Sequence, residues 1–364
     1  MSQRFDCGSH IDGSVALSMR EITGYFTQER LSMLRTRLPH CPLRLLFVSV
    51  VSMLFVAAPA VAQPGKKTAG KDESFTVVLI PDTQLYSLNF PKSYLRQTQW
   101  IKDNAKSRNI KFAIHLGDIV HRNTAKEWAV ADRAMSILDG VVPYSMTPGN
   151  HDMGPDGSAK TRDTNLYNKT FPPSRYKGKP WYGGNLGKTN DNNFCLFEGG
   201  GIKFLVISLE FAPTDLALDW ANRIVAQHKD RQVIVATHSY QNTDGSRKSG
   251  PLGYGVAGNN ADQMWNRFVR KHDNIFMVVC GHVLGVAYKK SQNGRGGYVH
   301  EILTDYQGLK NGGNGWLRWL KFVPSQNKIY IEAYSPVLDK FNLDPKHTLS
   351  IDYKMTGTRK AKGN

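Results

Sequence analysis

Thiols are scarce in this chain of 364 residues, which holds four cysteines. Cys7 and Cys41 precede an apolar run at 45–62, leaving Cys195 and Cys280 in the body of the chain. Two thiols form neither a disulfide framework nor a cysteine-based zinc site, although one pairing stays open in an oxidising compartment. Cys280 ends the apolar run 275–280, which favours a small core residue. No Gly-x-Ser-x-Gly elbow is present, which excludes a serine hydrolase of that class. The glycine-rich stretch 308–315 lacks the Gly-Lys-Ser/Thr ending and the strand-to-helix setting of a phosphate loop, so it reads as a turn. No helix-turn-helix, zinc finger or basic stripe interleaved with aromatics argues for a specific nucleic acid reader.

Apolar residues make up 40% of the chain, enough for one large domain or two small ones. The run 45–62, LLFVSVVSMLFVAAPAVA, carries no charge, follows Arg35, Arg37 and Arg44, and ends on Ala60-Val61-Ala62. That is the layout of a signal peptide over 33–62, with Gln63 as the mature N-terminus and an exported, periplasmic or extracellular protein as the consequence. No lipobox-type cysteine follows the run, and its length leaves an uncleaved membrane anchor as the alternative. Residues 1–32 read as a leader or as an extension upstream of a start at Met33. A linker of Pro, Gly, Lys and Ala character covers 63–75, and a basic tail covers 354–364. The net charge of +17 becomes +15 without residues 1–62, which hold six arginines and four acidic side chains. A basic exported protein suits phosphorylated small molecules or anionic polymers, and a scattered lysine-rich surface is the plainer account.

Between residues 75 and 353 apolar runs alternate with amphipathic stretches. Strands are expected at 75–80, 110–116, 141–146, 202–209, 233–236 and 275–280. Helices are expected at 94–108, around Trp128, Ala131, Met135 and Leu138, at 216–228 and at 264–272. Apolar runs without strict alternation, separated by amphipathic helices, indicate strands covered on both faces. The part 298–353 reads as short strands and glycine-rich turns.

Five segments stand at the ends of such runs: Pro81-Asp82-Thr83-Gln84, Gly117-Asp118, Gly149-Asn150-His151-Asp152, Thr237-His238 and Gly281-His282. In open α/β sheets the functional groups gather beyond the carboxyl ends of strands. Gly117, Gly149 and Gly281 permit the tight turns that bring side chains inward. Asp82 and Gln84, two residues apart, would share one side of an extended backbone. With Asp118, Asn150, His238 and His282 they form a mixed oxygen and nitrogen set without thiolate, suited to divalent Mn, Fe, Zn or Mg. So many ligands serve two ions better than one, and paired ions suit phosphoryl chemistry.

This ordered series resembles that of the calcineurin-like metallophosphoesterases. The motifs span about 76–285, and the resemblance implies a domain over 76–353. The stretches Leu303-Thr304-Asp305-Tyr306-Gln307 and Gly313-Asn314-Gly315-Trp316-Leu317-Arg318 resemble the tail of exported bacterial members. The resemblance implies a four-layer α/β/β/α sandwich with a two-metal centre between two facing mixed sheets. It implies hydrolysis of a phosphate mono- or diester, with the ions positioning the phosphate and supplying hydroxide. Asp82 and Gln84 would bind the first metal, Asp118 would bridge, and Asn150, His238 and His282 would bind the second. His151 would be the general acid.

Three positions depart from the pattern. Gln84 replaces the commoner His, Leu284 stands where a second His would complete the first site, and His121 stands where an Asp often orients the catalytic His. Asp152 is the candidate to take that orienting role. His115 and His300, inside strand-like runs, read as structural, with His300 a weaker candidate to replace the ligand missing at Leu284. The segments 154–187, with Tyr167, Arg175, Trp181 and Tyr182, and 239–260 read equally as substrate loops or packed insertions. Two rival functions remain. One is a noncatalytic metal- or anion-binding protein on the same scaffold; the other is an envelope module that binds polymers through its lysines.

Overall fold

Strand β1, Phe75–Ile80, is apolar at every position because both its faces are covered. Val78 and Ile80 point into one core, and Phe75, Val77 and Leu79 into another. This period-two sorting divides the whole chain into layers. The computed structural model describes residues 73–355 apart from Pro251. The expected leader and signal segment, most of the linker and nearly all of the basic tail lie outside the described residues. Among the described residues no helix is long and apolar enough to cross a membrane.

The remaining strands are β2 (Ile110–His115), β3 (Tyr144–Met146), β4 (Tyr182–Asn185), β5 (Asn193–Gly199), β6 (Ile202–Leu209) and β7 (Gln232–Thr237). They are followed by β8 (Ile275–Cys280), β9 (Gly285–Gln292), β10 (Tyr298–Asp305), β11 (Leu317–Val323), β12 (Lys328–Ser335), β13 (Lys340–Asn342) and β14 (Leu349–Asp352). One seven-stranded sheet runs β13-β12-β11-β1-β2-β3, with β14 also on β12. The other runs β4-β5-β6-β7-β8-β10-β9. Both are mixed: β1, β2 and β3 are mutually parallel, as are β6, β7, β8 and β10, and antiparallel strands flank them.

Three apolar cores separate four layers. Between the sheets, Phe75 stacks on Phe322 with ring centroids 4.6 Å apart, and Phe197 on Phe204 at 4.8 Å. Outside the first sheet, helices Pro91–Asn104 and Ala125–Met135 bury Trp100, Ile101, Trp128 and Met135 against Val78, Ile80 and Ala113. Outside the second, helices Asp215–Gln227 and Ala261–Arg267 bury Leu218, Val225 and Met264 against Leu205, Ile207 and Val235. The expected four-layer sandwich is the fold.

Local sequence sets where these helices begin. Thr124 accepts from the Glu127 N–H, and the Glu127 carboxylate accepts from the Thr124 N–H at 3.1 Å, a reciprocal cap. Asn260 and Gln263 repeat the device, and Pro91 opens its helix where a missing N–H costs nothing.

The segment 154–187 is mostly a packed insertion. Tyr167 is fully buried against Trp128 and Phe171, and Trp181 packs on Phe112 and Tyr144. Arg175 is pinned to Asp132 and Asp139 at 2.6 and 2.9 Å. Strands β4 and β5, which the sequence pattern does not announce, then add to the edge of the second sheet.

Candidate metal centre

The carboxyl ends of β1, β2 and β3 in one sheet meet those of β7 and β8 in the other, and hydrogen bonds fasten them. Thr83 N–H donates to the Asp118 carbonyl at 3.1 Å, and Gly281 N–H to the His238 carbonyl at 3.0 Å. Three further bonds cross between the sheets. Phe211 N–H reaches the Pro148 carbonyl at 2.9 Å, His238 Nδ1 the Leu116 carbonyl at 2.9 Å, and His282 N–H the Asp82 carboxylate at 3.1 Å. The strand-end segments are thus held together by their own backbone and by the side chains of His238 and Asp82.

Crowding explains the glycines better than turning does. Of Gly117, Gly149 and Gly281, only Gly117 has a positive φ, +97°. A Cβ on Gly149 would lie 2.2 Å from Asp118 Oδ1, and one on Gly281 would lie 2.0 Å from Asp82 Oδ1. Strain sits on the centre itself: Asp118 has φ +46° and His282 φ +73°. Left-handed backbone at a histidine costs roughly 1–2 kcal/mol and persists where surrounding bonds impose it.

Asp118 is the hub. Its Oδ1 accepts from the His151 N–H at 2.9 Å and lies 3.1 Å from His238 Nε2, while Oδ2 accepts from Gln84 Nε2 at 3.1 Å. One ligand atom each from Asp118, His238 and His282 lie within 4.8 Å of one another. Asn150 Oδ1 is 3.1 Å from His238 Nε2. Because a carbonyl only accepts, His238 Nδ1 carries a proton and Nε2 faces two oxygens. A second proton or a cation must occupy that side of the ring. Phe211 walls the pair, its centroid 6.0 Å from His238 and 5.7 Å from His282, and the part-exposed Tyr254 lies 6.0 Å from His282. The segment 239–260 therefore reaches the site, as 154–187 mostly does not.

The charges here are unbalanced. Burial, and then the neighbouring Asp305, push the Asp82 carboxyl well above its usual range. Burial lifts Asp305 to about 6. Burial would raise Asp118 too, yet the adjoining His238 holds it well below the usual range. Against its own burial, His238 is raised by Asp118 to about 10. Burial, then repulsion from His238, drops His282 to about 3. Asp82 Oδ1 is buried without a hydrogen-bond partner. Buried carboxylates crowded in this way, with one oxygen orphaned, fit a divalent cation, and the oxygen and nitrogen donors suit a hard or borderline ion.

The residues singled out from the sequence divide. Asp82, Gln84, Asp118, Asn150, His238 and His282 come together, but Gln84 does so from the start of the short helix Gln84–Leu88 rather than from extended backbone. Its oxygen takes His121 Nδ1 at 2.7 Å. His151 Nδ1 bonds the His121 carbonyl at 2.7 Å, and the two rings stack with centroids 4.8 Å apart. Asp152 does not orient His151. Its oxygens accept the backbone N–H groups of Gly149, Val120 and Ile119 at 2.8, 2.9 and 3.1 Å. The side chain at Asp152 therefore fixes the loop after β2 to the loop after β3.

The structural readings of two histidines fit their surroundings. His115 takes the Gly117 N–H on Nδ1 at 3.2 Å and bonds Thr83 through Nε2 at 3.0 Å. His300 bonds the Tyr288 hydroxyl at 3.0 Å, mid-strand in β10 level with Met277, and so does not replace the ligand missing at Leu284. Leu284 itself is 58% exposed. Cys195 and Cys280 are separate buried thiols, so the open pairing is not made.

Asp305 and Gln307 were not singled out for a role. Asp305 is 1% exposed at the end of β10, and Gln84 Nε2 also donates to Gln307 Oε1. The available signal was one more apolar run ending on an acidic residue, Ile302-Leu303-Thr304-Asp305.

A sequence model of the calcineurin-like phosphoesterases matches residues 75–285. The protein YvnB of Bacillus subtilis is 32% identical over 299 residues, which is 78% of this chain but 22% of YvnB. The chain thus spans under a quarter of that relative's length. A dimetal phosphatase from Danio rerio superposes with TM-score 0.49 at 13% identity, covering 77% of this chain and 99% of that one. A purple acid phosphatase from yellow lupin (Lupinus luteus) seeds superposes with TM-score 0.48 at 12% identity, covering 78% and 54%.

Proposed function

We propose, from the premise that this chain belongs to the calcineurin-like phosphoesterase family, that it hydrolyses phosphate mono- or diesters at a two-metal centre with His151 as general acid. The observation that carries this reading is the cluster around Asp118, where ligand atoms of Asp118, His238 and His282 lie within 4.8 Å of one another. Asp82 would hold one ion, joined by Gln84 once its amide turns its oxygen inward from His121. Asn150, His238 and His282 would hold the other, and Asp118 would serve both. Such ions supply charge for the phosphoryl oxygens and an activated water at neutral pH.

The protein's own side chains do the rest. The His121 carbonyl fixes the His151 ring and keeps the proton on Nδ1. As general acid His151 would deliver a proton from Nε2 to the ester oxygen as its bond to phosphorus breaks. The His151 N–H to Asp118 bond sets the acid at a fixed place beside the ligand set. Gln84, bonded to both Asp118 and His121, couples the ligands to the loop that carries the acid's partner. Phe211 keeps one side of the two imidazoles apolar. Export is part of the same reading; mass analysis that found Gln63 at the mature N-terminus would support it, and an intact 45–62 segment in the membrane fraction would overturn it.

The test is turnover of phosphomonoester and phosphodiester chromogens with added Mn, Zn or Mg. His151→Ala should lower kcat by about 10²–10⁴ with metal content unchanged. Metal-independent turnover, or a His151→Ala enzyme of full activity, overturns the mechanism. The solvent-facing Leu284 favours a second reading, a noncatalytic protein holding one ion and an anion. Binding of a single ion without turnover supports it.

A further inference from the structure

We propose that Asp305 supplies the protein ligand absent at Leu284, so that Asp82 and Asp305 hold the first cation, with Gln84 joining them when its amide turns its oxygen in from His121. This rests on the two-metal reading above and deepens it. Strand register gives the placement. β10 runs parallel to β8 with Leu303 opposite Cys280, the last residue of β8, and Asp305 ends β10 two residues on, beside the turn that carries His282. His282 donates its N–H to the Asp82 carboxylate at 3.1 Å. On its other side, β10 pairs antiparallel with β9, and Asp305 faces Gly285, the residue after Leu284. Leu284 therefore stands one position from the level of Asp305. Its side chain lies on Gly308 and is 58% exposed, turned to solvent.

Asp305 is differently placed. It is 1% exposed, and among the described residues its carboxylate meets no lysine or arginine. It accepts from the Gln307 N–H at 2.8 Å and from Gln307 Nε2 at 3.3 Å, which leaves lone pairs on both oxygens unused. A carboxylate without a cation is expensive to bury, so its burial needs a partner. The independent sign of that partner is Asp82 Oδ1, buried and unbonded in the same cluster. Gln307 closes the link, because its side-chain oxygen accepts from Gln84 Nε2 while its nitrogen serves Asp305. A carboxylate in place of an imidazole also makes this half of the centre all oxygen, a set that favours Mn or Mg over Zn.

Metal content tests this without reference to turnover. The whole chain and its Asp305→Ala variant are loaded with Mn, dialysed and assayed by elemental analysis and calorimetry. Two equivalents in the wild type and one in the variant, with the remaining ion bound as before, is the expected result. Two equivalents of unchanged affinity in both overturns the role of Asp305 and leaves the two-metal reading standing. One equivalent or none in the wild type overturns the two-metal reading itself. If circular dichroism shows Asp305→Ala unfolded, the isosteric Asp305→Asn protein is used. It should bind the first equivalent at least about tenfold more weakly, and unchanged affinity overturns the proposal.

Discussion

Replacing Asp152 separates its positioning role from a catalytic one. The carboxylate is fully buried and accepts three backbone N–H groups, from Gly149, Val120 and Ile119. Burial, then the neighbouring Asp118, lift the Asp152 carboxyl to about 7, so the comparison is made at about pH 8 or above. There each bond to the charged acceptor contributes about 1.5–3 kcal/mol, and a buried donor left unmet costs about 1–3 kcal/mol. The three contributions are not additive, because relaxation and a water entering the hole satisfy part of the loss. Asp152→Ala should therefore cost about 4 kcal/mol. Asp152→Asn keeps one acceptor oxygen and sets an amide N–H against a backbone N–H, for a loss of about 2 kcal/mol.

Urea unfolding reads both values, with equal slopes required for the comparison. At about 2–4 °C per kcal/mol for a domain of this size, the alanine variant should melt roughly 8–16 °C lower. His151 bonds the His121 carbonyl rather than Asp152, so the Asn variant should keep the pH profile of turnover while losing stability. Unchanged stability with lost turnover would refute the reasoning and restore a catalytic Asp152.

Gly149→Ala should abolish metal binding or fold poorly, since its Cβ would stand 2.2 Å from Asp118 Oδ1; normal metal content in calorimetry would contradict this. Metal should stabilise the fold, by about 2.7 kcal/mol at a hundred times Kd, and a chelator should reverse the rise in Tm seen by calorimetry. Burial, then Lys290, lower His300 to about 4, so between that value and an unfolded 6.5 the unfolded chain binds more protons. Stability then falls as pH drops from 6.5 towards 4, by at most about 3 kcal/mol, and His300→Gln should flatten that part of the pH curve in urea titrations.

Much of this site was legible because its ligands follow strand ends. Apolar runs marked β1, β2, β6, β7 and β8, and the polar residues beyond them fall in one crevice for a topological reason. Asp305 escaped because a lone acidic residue after a strand is ordinary turn chemistry until the register of β10 is known. The role of Asp152 was misread for the opposite reason: adjacency to His151 suggested partnership, but its carboxylate turns to the N–H groups of Gly149, Val120 and Ile119. Strand β4, Tyr182–Asn185, has two glycines and no buried residue, and β5 opens on Asn193 and closes on Gly199, so their hydrophobic pattern is short.

The sequence by itself determined the layers and the ligand types, since period-two burial and strand-end chemistry are local properties. Only the tertiary structure decided which groups meet. Gln84 touches Gln307 across 223 residues of chain, and His238 bonds the Leu116 carbonyl across 122. Such pairings depend on strand register and on the facing of two sheets, and neither is written in any short segment. The same fold leaves Leu284 exposed and sets Asp305 opposite Gly285.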